Sequence, residues 1–493
     1  MTAGTGEVWQ RLSPRMLLVH PVHEVLRQIP LLIGSVVLGS ATGNPMWTLF
    51  GLALIVGYGV ARWFTTTYRI DSQEVQLRSG VLQRKVLSLP RNRIRSVSTD
   101  ARLLHRLLGL TVLQVSTGQE ARGDAAFALD AVEAEQVPRL RAILLADSLA
   151  PTDEDGEPTG QVLAHWQPSW LRYSPLSFTG LAMIVAAVGL AYQAGAAVVL
   201  RNSQLARSGL DAAERFGVFA SVVVGAVAVL VASAVLSVLR SLLTFGNLSL
   251  TRRDSGGTDG ALHLEHGLLR VREHTFDMRR LRGGTLREAL LVRVFGGARL
   301  DAVMTGVAGA GEASLLLPPC PRPTAEAVLA GLIDRPDLVT GPLRAHGRTA
   351  TRRRWTRAMT LPVVVAALMV LLAVVATVPP WLWIVPAVLA VCCALLAVDR
   401  SRSLGHLAGG GWLVARAGSL ERRRDCIAAP GIIGWTVRQT LLQRRAGVAT
   451  LVAATAAGEK RYRVIDVPAE DAWSIAAAAS PWIADNRWWR TRG

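Results

Sequence analysis

Long apolar runs come in three closely spaced pairs along the chain, and polar segments separate the pairs. None of the six runs carries a charged residue at its centre, and all but the first approach the ~20 residues that a helix needs to span a bilayer. The first run is shorter, and we expect its helix to reach back to Leu26. We therefore predict six transmembrane helices in three hairpins, from the runs at residues 29–41 and 46–63, 176–200 and 216–239, and 358–378 and 381–398.

Two spans separate each polar segment from the next, so the polar segments and both termini are predicted to lie on one side of the membrane. Charged residues occur at the tip of the middle hairpin alone, whereas the opposite side is rich in arginine. The positive-inside rule then places the termini and the polar segments in the cytoplasm of a bacterial cell. The flanking arginines are Arg11, Arg15, Arg27, Arg62, Arg240, Arg352, Arg353, Arg354, Arg357 and Arg400.

The polar segments carry an internal repeat. Each copy is marked by two glycines 29 residues apart, and the copies align between these glycines without a gap: Gly80 to Gly109, Gly267 to Gly296 and Gly418 to Gly447. A basic residue follows the first glycine by five positions, as Lys85, Arg272 and Arg423. An arginine follows it by 26 positions, as Arg106, Arg293 and Arg444.

Each copy is predicted to be β-rich and then helical. In the first, alternating or β-branched segments predict strands, and the leucine spacing of the segment before Gly109 predicts a short helix that this glycine ends. The strands are expected at residues 68–70, 75–78, 81–89, 94–97, 111–116 and 125–129, and the helices at 100–108 and 131–145. The second copy is expected to end in a strand at 314–317 and a helix at 324–333, and the third in a strand at 461–467 and a helix at 469–479.

Composition shifts mark the boundaries between these parts. Residues 151–158 are acidic with proline at both ends and are predicted to be disordered, whereas the segment before the third hairpin is basic. We divide the chain into an N-terminal segment with the first hairpin (1–63), a first domain (64–150), an acidic linker (151–165), a second hairpin (166–244), a second domain (245–334), a basic linker (335–357), a third hairpin (358–399), a third domain (400–484) and an Arg/Trp tail (485–493).

The net charge of +18 draws the protein to anionic surfaces, either the cytoplasmic leaflet or nucleic acid. Nucleic acid is disfavoured because no helix clusters basic residues for one groove and no aromatic stacking motif occurs. Arginine and tryptophan combine beside the predicted spans, as in membrane-interface anchors. The predicted anchors are Trp166, Trp170, Arg352, Arg353, Arg354, Trp355, Trp488 and Trp489.

No motif indicates catalysis, a cofactor or a metal. The glycine-rich stretch at 306–311 fits a turn, and His263 and His266 are three apart in a predicted strand, where they face opposite sides. The four cysteines fit small buried residues, so no disulfide is expected. The chain is therefore predicted not to be an enzyme. The absence of charge inside the spans also disfavours a transporter or channel subunit, which stays as an alternative.

The first repeat combines a membrane hairpin with Tyr68, Gly80, Val81, Leu82, Arg84, Pro90, Ile94, Val97, Leu107, Gly109 and Leu110. This pattern resembles the bacterial pleckstrin-homology-like (PH-like) domain found in membrane proteins of the YdbT type. The match is close in the first repeat, moderate in the second and degraded in the third. The resemblance implies a mixed membrane protein in which six transmembrane α-helices in three hairpins alternate with three cytoplasmic PH-like β-barrel domains. Each domain is implied to be a partly open barrel of about seven strands with a C-terminal helix.

The resemblance also implies a function without catalytic residues. Family members often occur beside a smaller membrane protein with one such domain, and some are associated with tolerance of membrane-active peptides. In pleckstrin-homology folds the loop between the first two strands often binds acidic headgroups, which makes Lys85, Arg272 and Arg423 candidates for anionic-lipid contact. Solvation of a half-exposed strand is the alternative. Arg106, Arg293 and Arg444 are expected to solvate the outer face of the domain or to hold the loop by hydrogen bonds to carbonyls, and partner binding is the alternative.

The prediction that follows is a non-enzymatic scaffold in the bacterial cytoplasmic membrane, in contact with membrane lipids. It presents three PH-like domains to the cytosol for interaction with proteins or anionic lipid, in envelope stress or tolerance of membrane-active peptides. An anionic-lipid sensor is the alternative that shares this architecture. The sequence leaves the ligand, the physiological process and the oligomeric state open.

Overall fold

The structure is a computed structural model that describes residues 9–11, 13–15, 46–71, 73–80, 84–90, 94, 96–101, 103–116, 127–137, 139–140, 144, 160–177, 182–186, 189, 217–253, 260–306, 314–375 and 377–484. The chain divides into two compact units. Unit 1 comprises Met1–Trp166 and Leu243–Arg280, and unit 2 comprises Gln167–Leu242 and Leu281–Gly493. The second repeat therefore contributes its first strands to unit 1 and its last strands to unit 2.

Unit 1 contains two antiparallel sheets. The smaller sheet consists of β1 (Gln10–Arg11), β2 (Thr67–Ile70), β3 (Glu74–Ser79) and β4 (Lys85–Pro90), in that order. The larger sheet consists of β5 (Ser96–Ala101), β6 (Leu110–Ser116), β7 (Phe127–Glu133), β8 (Gly160–His165), β9 (Ser249–Arg253), β10 (Ala261–His266) and β11 (Val271–Asp277). Its spatial order is β7-β6-β5-β11-β10-β9-β8.

Unit 2 also contains two antiparallel sheets. The larger consists of β12 (Leu281–Ala289), β13 (Gly297–Met304), β14 (Leu315–Pro321), β15 (Gly405–Gly409), β16 (Trp412–Ala417) and β17 (Glu421–Ala428), in the order β14-β13-β12-β17-β16-β15. The smaller consists of β18 (Ile432–Arg438), β19 (Val448–Thr455) and β20 (Arg461–Pro468), in the order β18-β19-β20.

The helices are of two kinds, long apolar ones and short ones within the domains. They are α1 (Met46–Thr65), α2 (Leu103–Leu107), α3 (Val218–Phe245), α4 (Leu290–Val294), α5 (Arg322–Ile333), α6 (Pro336–Thr340), α7 (Gly347–Val375), α8 (Ile384–Ser403), α9 (Leu441–Arg445), α10 (Ala472–Ala479) and α11 (Pro481–Ala484). Short 3-10 turns lie at Ala134–Gln136, Pro168–Ser177, Met278–Arg280, Pro380–Trp383 and Ala429–Gly431.

Alternation of apolar and polar residues builds the core of the first repeat. On β3, Val75 and Leu77 are buried while the residues between and beside them are part-exposed. These side chains join one cluster with residues of the other sheet of the same repeat, including Ile94, Leu113 and Leu129. Full burial of one such side chain contributes about 1.5–3 kcal/mol, so this cluster holds the two sheets together.

The third repeat has an equivalent core. Leu413 and Ile427 from its first strands pack with Leu451 and Val464 from its last strands, and Ile475 of α10 covers them. These apolar residues thus occupy the inside of a two-sheet domain with a C-terminal helix, the arrangement that the resemblance implied.

Each repeat also includes a strand that precedes its hairpin, which the sequence analysis did not predict. β1 pairs with β2 across the first hairpin, and β8 pairs with β9 across the second. Across the third, Arg344 and His406 exchange two backbone hydrogen bonds of 2.8 and 3.0 Å. In all three repeats the segment that was predicted to form a membrane hairpin is thus an insertion between the first and second strands.

Among the residues that the structure describes, three helices are long and apolar enough to cross a membrane: Val223–Phe245 within α3, α7 and the segment Pro380–Ser403 that contains α8. They correspond to the second run of the middle hairpin and to both runs of the last one. The run at 46–63 forms α1. The run at 29–41 lies outside the described residues, as does most of the run at 176–200.

Several predicted boundaries were wrong. Residues 160–165 of the expected acidic linker form β8, while 151–159 lie outside the described residues. β7 continues to Glu133, where a helix was predicted to have begun. The expected basic linker contains α6 and the start of α7, because Leu338 and Val339 are buried apolar residues. Local propensity did not reveal these tertiary contacts.

Candidate functional site: inter-repeat ladders and helix junctions

Successive repeats are joined by strand pairing at two places, which we call the first and second inter-repeat ladders. In the first ladder, β5 of the first repeat pairs with β11 of the second, from Ala101 opposite Val271 to Ser96 opposite Phe276. In the second ladder, β12 of the second repeat pairs with β17 of the third, from Ala289 opposite Glu421 to Gly283 opposite Ile427. Both ladders are antiparallel.

The two ladders have the same register. If positions are counted from the first glycine of each repeat, Thr99 is position 19 and its partner Glu273 is position 6. In the second ladder, Thr285 is position 18 and its partner Asp425 is position 7. In both cases the two positions add up to 25. A one-residue slip would turn every side chain to the other face of the sheet, so this agreement reflects a shared geometry.

In each ladder a threonine contacts a carboxylate, at positions 19 and 6 in the first ladder and at positions 18 and 7 in the second. The Thr99 hydroxyl donates to Glu273 at 3.1 Å, and the Thr285 hydroxyl donates to Asp425 at 2.8 Å. Burial raises the pKa of the Asp425 carboxyl to about 6, against the effect of the Thr285 hydrogen bond. Each repeat thus presents a threonine hydroxyl to a carboxylate of the next.

An ion pair also recurs in the two ladders with its charges exchanged. At position 20 the first repeat has Asp100, which pairs with Arg270 at position 3 of the next repeat. At position 20 the second repeat has Arg287, which pairs with Glu421 at position 3 of the third, at 3.1 Å. If the first repeat paired with the third, Asp100 would lie close to Glu421 and the two like charges would repel. The ion pairs therefore favour the order in which the repeats follow one another in the chain.

Two of the first set of predicted basic residues, Arg272 and Arg423, lie on strands that pair with the preceding repeat. Arg272 lies on β11 opposite Asp100. Arg423 lies on β17 and forms ion pairs with Glu459 at 2.7 Å and Glu421 at 3.1 Å. Lys85 lies on β4 and is exposed. The prediction of lipid contact is untested at all three positions.

The second set of predicted arginines contacts the following repeat in two cases out of three. Arg106 donates to the carbonyl of Leu268 at 3.1 Å, and Arg293 forms an ion pair with Asp399 at 2.9 Å. Arg444 is exposed on α9, at the end of the last repeat. Arg106 therefore forms a hydrogen bond to a backbone carbonyl, which is one of the roles expected for it from the sequence.

The predicted interface anchors occupy different environments. Trp170 is buried in a 3-10 turn, Trp166 is half-buried, and Trp355 is exposed over 37% of its surface. Arg352 is exposed on α7, in contrast to the two arginines that follow it. Trp488 and Trp489 lie outside the described residues.

Arg353 and Arg354 converge on Asp466, a buried junction between α7 and the third domain. Both guanidinium groups pair with this carboxylate, that of Arg354 at 2.8 Å, and the Gln443 amide donates to it at 2.8 Å. Asp466 is 0% exposed and has φ of 59°. Asp466 lies within β20, in agreement with the strand predicted at 461–467, and the helix that follows begins at Ala472.

A second junction joins α8 to the neighbouring strands. Asp399 near the end of this helix pairs with Arg293 at 2.9 Å and with Arg422 at 2.8 Å. Arg416 donates to the carbonyl of Ser403 at 3.0 Å, which satisfies one of the free carbonyls at the helix end. Positive charge at this end also interacts favourably with the helix dipole.

Two buried histidines lie at the start of α7. The rings of His346 and His406 are 4.9 Å apart, and Nδ1 of His346 lies 2.8 Å from the carbonyl of Ile465. Burial, with further contributions from His346 and Arg344, lowers the pKa of His406 to about 4. Burial also lowers the pKa of His346.

We expect the low pKa of His406 to make the third domain about 2 kcal/mol less stable at pH 5 than at pH 7. The raised pKa of Asp425 acts in the opposite direction over this range and offsets part of that loss. The pKa of His406 is lower in the folded state, so between about pH 4 and 6.5 the folded protein binds fewer protons than the unfolded chain. Stability is therefore lost as the pH falls through this range. Thermal unfolding of the detergent-solubilised protein at several pH values measures the effect.

The variant His406→Gln should flatten this pH profile, because it removes the titrating ring. His165→Gln is the matched control, since His165 is exposed on β8. An equally steep profile in His406→Gln would contradict the assignment of the acid sensitivity to this ring.

Within the described ranges, no group of three or more His, Cys, Asp or Glu residues is arranged to hold a metal ion. The polar residues that converge are arginines with carboxylates, and their contacts join repeats to each other and helices to domains. The arrangement can therefore fix geometry and resist separation of these parts.

Comparison with known proteins gives two matches. The family model described as "Bacterial PH domain" matches residues 24–148 and 358–480, which include the first and third repeats with their hairpins. The third repeat matches although its motif residues depart most from the first. The transmembrane protein YdbT of Bacillus subtilis (strain 168) is 19% identical over 268 residues, covering 51% of this chain and 52% of YdbT. The match thus spans about half of each protein. No solved structure matches.

Proposed function

The chain belongs to the bacterial PH domain family and is a membrane protein, and from this premise we propose that it is a non-enzymatic scaffold that presents three PH-like domains on the cytoplasmic side of a bacterial membrane. The observation that carries the proposal is the direct coupling of apolar helices to a row of strand-paired repeats. Such an assembly holds binding surfaces at a fixed place on the membrane.

The inserted position of the hairpins supports the proposed topology. In each repeat, the strand before the membrane segment pairs with a strand after it, at Gln10 opposite Tyr68, His165 opposite Ser249, and Arg344 opposite His406. Residues that share a ladder lie on the same side of a membrane. Each segment must then cross an even number of times, which agrees with three hairpins and six spans.

The contacts of the basic residues favour a scaffold over a lipid sensor. Of the six basic positions marked by the repeat, Arg106, Arg272 and Arg293 lie in contacts or ladders between repeats, and Arg423 pairs with carboxylates. The guanidinium groups of Arg106, Arg293 and Arg423 are therefore engaged in contacts within the protein. Lys85, Arg352 and Arg444 are exposed, and these are the residues at which we propose that anionic lipid could contact the protein.

The partner that fits this proposal is another membrane protein with a single PH-like domain. The process that fits is envelope stress or tolerance of membrane-active peptides, and the family resemblance is the support for both. The partner would associate with the exposed faces of the domains, since the edges within the row are already paired.

Membrane topology is tested by single-cysteine labelling in intact cells with a reagent that does not cross the membrane. We expect cysteines introduced in the domains, such as Arg463→Cys on β20, to be protected until the cells are opened. A cysteine at a hairpin tip, such as Ser208→Cys, should react in intact cells. Labelling of the Arg463→Cys variant in intact cells would reject the cytoplasmic orientation.

The choice between protein and lipid is tested by affinity capture of the detergent-solubilised protein, with identification of co-purifying proteins and lipids. We expect a membrane protein to co-purify. If anionic lipid alone co-purifies, and if a variant with Lys85, Arg352 and Arg444 changed to alanine loses it, the protein is a lipid sensor. Arg463→Ala is the matched control because it removes one exposed charge on β20.

A further inference from the structure

We propose that two copies of this chain associate head to tail, by strand pairing of β18 in one copy with β4 in the other, in the register of the two inter-repeat ladders. This inference rests on the ladders and holds whatever other ligand the domains bind.

The two edges are the counterparts of edges that are already paired. Within each repeat, β5, β12 and β18 are equivalent strands, and so are β4, β11 and β17. β5 pairs with β11 and β12 pairs with β17. Among the described residues, β18 and β4 are end strands of their sheets. Every chain thus carries one edge of each kind, β4 in its first repeat and β18 in its third.

The shared register predicts which residues meet. Positions that add up to 25 place Val437 opposite Val86, Thr436 opposite Leu87, Trp435 opposite Ser88 and Gly434 opposite Leu89. The two existing ladders both stop at position 9, at Phe276 and at Ile427. The predicted ladder also stops there, at Leu89, so Pro90 at position 10 does not have to donate a ladder hydrogen bond.

Exposure and open space at both edges fit this docking. Val86 is 54% exposed although it lies in a strand, and the ladder would cover it with Val437. Gly434 is at the same position as Gly283. A Cβ on Gly283 would overlap the carbonyl of Cys426 in the neighbouring strand, whereas a Cβ on Gly434 would meet no atom within 4 Å. The space that β17 fills beside β12 is thus open beside β18.

A second copy is the occupant because its free edge has the complementary position in the same series. The chain uses this strand pairing twice, between the first and second repeats and between the second and third. A third pairing of this kind, at β18, requires a strand that is equivalent to β4. Pairing between unlike surfaces adds further copies head to tail and gives a ring or a filament.

Two like charges at one end of the predicted ladder are expected to weaken the association of the two copies. Arg438 would face Lys85, and like charges directly opposite are unfavourable. In the second ladder the equivalent residues, Arg287 and Arg423, are also both basic, and Glu459 pairs with each of them. A single charge reversal at either Lys85 or Arg438 is therefore expected to strengthen the association.

Disulfide trapping between two differently tagged copies tests the register. One copy carries Val86→Cys and the other Val437→Cys, or one carries Leu87→Cys and the other Thr436→Cys. These neighbouring pairs cover both pair types of an antiparallel ladder. After oxidation in membranes we expect a mixed dimer for at least one pair, at several times the level of the slipped pair Val86→Cys with Thr436→Cys. The unsubstituted copies control for the native cysteines.

Two results would overturn the proposal. The first is a lack of mixed dimer above the slipped pair for both in-register combinations. The second is a disulfide that forms only within single chains carrying both cysteines, which would assign the two edges to each other in one molecule.

Charge reversal gives an independent readout. Lys85→Glu alone and Arg438→Glu alone should each raise the yield of mixed dimer severalfold, and the two together should return it to the starting level. Arg463→Glu makes the same change of net charge on β20, at the opposite edge of that sheet, and should leave the yield unchanged. Equal effects of all single reversals would contradict the register.

Discussion

Replacing Asp466 by alanine is expected to destabilise the third domain by about 3–5 kcal/mol, because it leaves two guanidinium groups buried without their carboxylate. Arg353 and Arg354 are 11% and 8% exposed at their side chains, and Asp466 is 0% exposed. Neither arginine can move into water without moving α7. Thermal unfolding of the detergent-solubilised protein measures the loss.

Two variants separate the contributions at this position. Asp466→Asn keeps the size and tolerates the positive φ of 59°, so its loss reports the charge alone and should be smaller than that of Asp466→Ala. Changing Arg353 and Arg354 together with Asp466 removes both sides of the pair and should recover part of the stability. An Asp466→Ala protein that unfolds at the temperature of the parent would contradict the junction.

Gly283→Ala is expected to separate the second repeat from the third, with a cost of roughly 3 kcal/mol. Gly283 has φ of 137°, a conformation that residues with a Cβ essentially do not adopt. The added methyl group would also overlap the carbonyl of Cys426 across the second ladder. The strand must then shift, and the contacts of Thr285 and Arg287 shift with it.

Gly434→Ala is the matched control for Gly283→Ala, since the two glycines share a position in the repeat and the added methyl group meets nothing within 4 Å at Gly434. Limited proteolysis in detergent should cut Gly283→Ala faster than the parent near β12 and leave Gly434→Ala unchanged. If both variants resist proteolysis as the parent does, the second ladder does not depend on this close approach.

The sequence predicted the interior of each domain well. The glycine pairs and the aliphatic residues between them recur at fixed positions, and alternation on strands such as β3 places Val75 and Leu77 inside. Gly109, Gly296 and Gly447 have positive φ, as expected for residues that end a short helix. These features depend on neighbours in the chain, which a sequence pattern records directly.

The contacts between repeats and the strands before the hairpins could not be predicted in this way. β1 has two residues, too few for a periodic pattern, and its partner follows a membrane segment. Asp466 has its partners more than 100 positions earlier in the chain, at Arg353 and Arg354. For the candidate site, the sequence identified Arg106, Arg272, Arg293 and Arg423 as special but did not reveal which residues they meet.

The insertion of a membrane segment between the first and second strands has a consequence for biosynthesis. His165 ends β8, and 83 residues separate it from its partner Ser249. At about 5–20 residues per second, a ribosome needs roughly 4–17 s to make the intervening chain. During that time β8 has no partner from its own repeat. In the proposed topology, the sheet can close only after the segment has entered the membrane and returned. Completion of each domain therefore reports that the preceding insertion has succeeded.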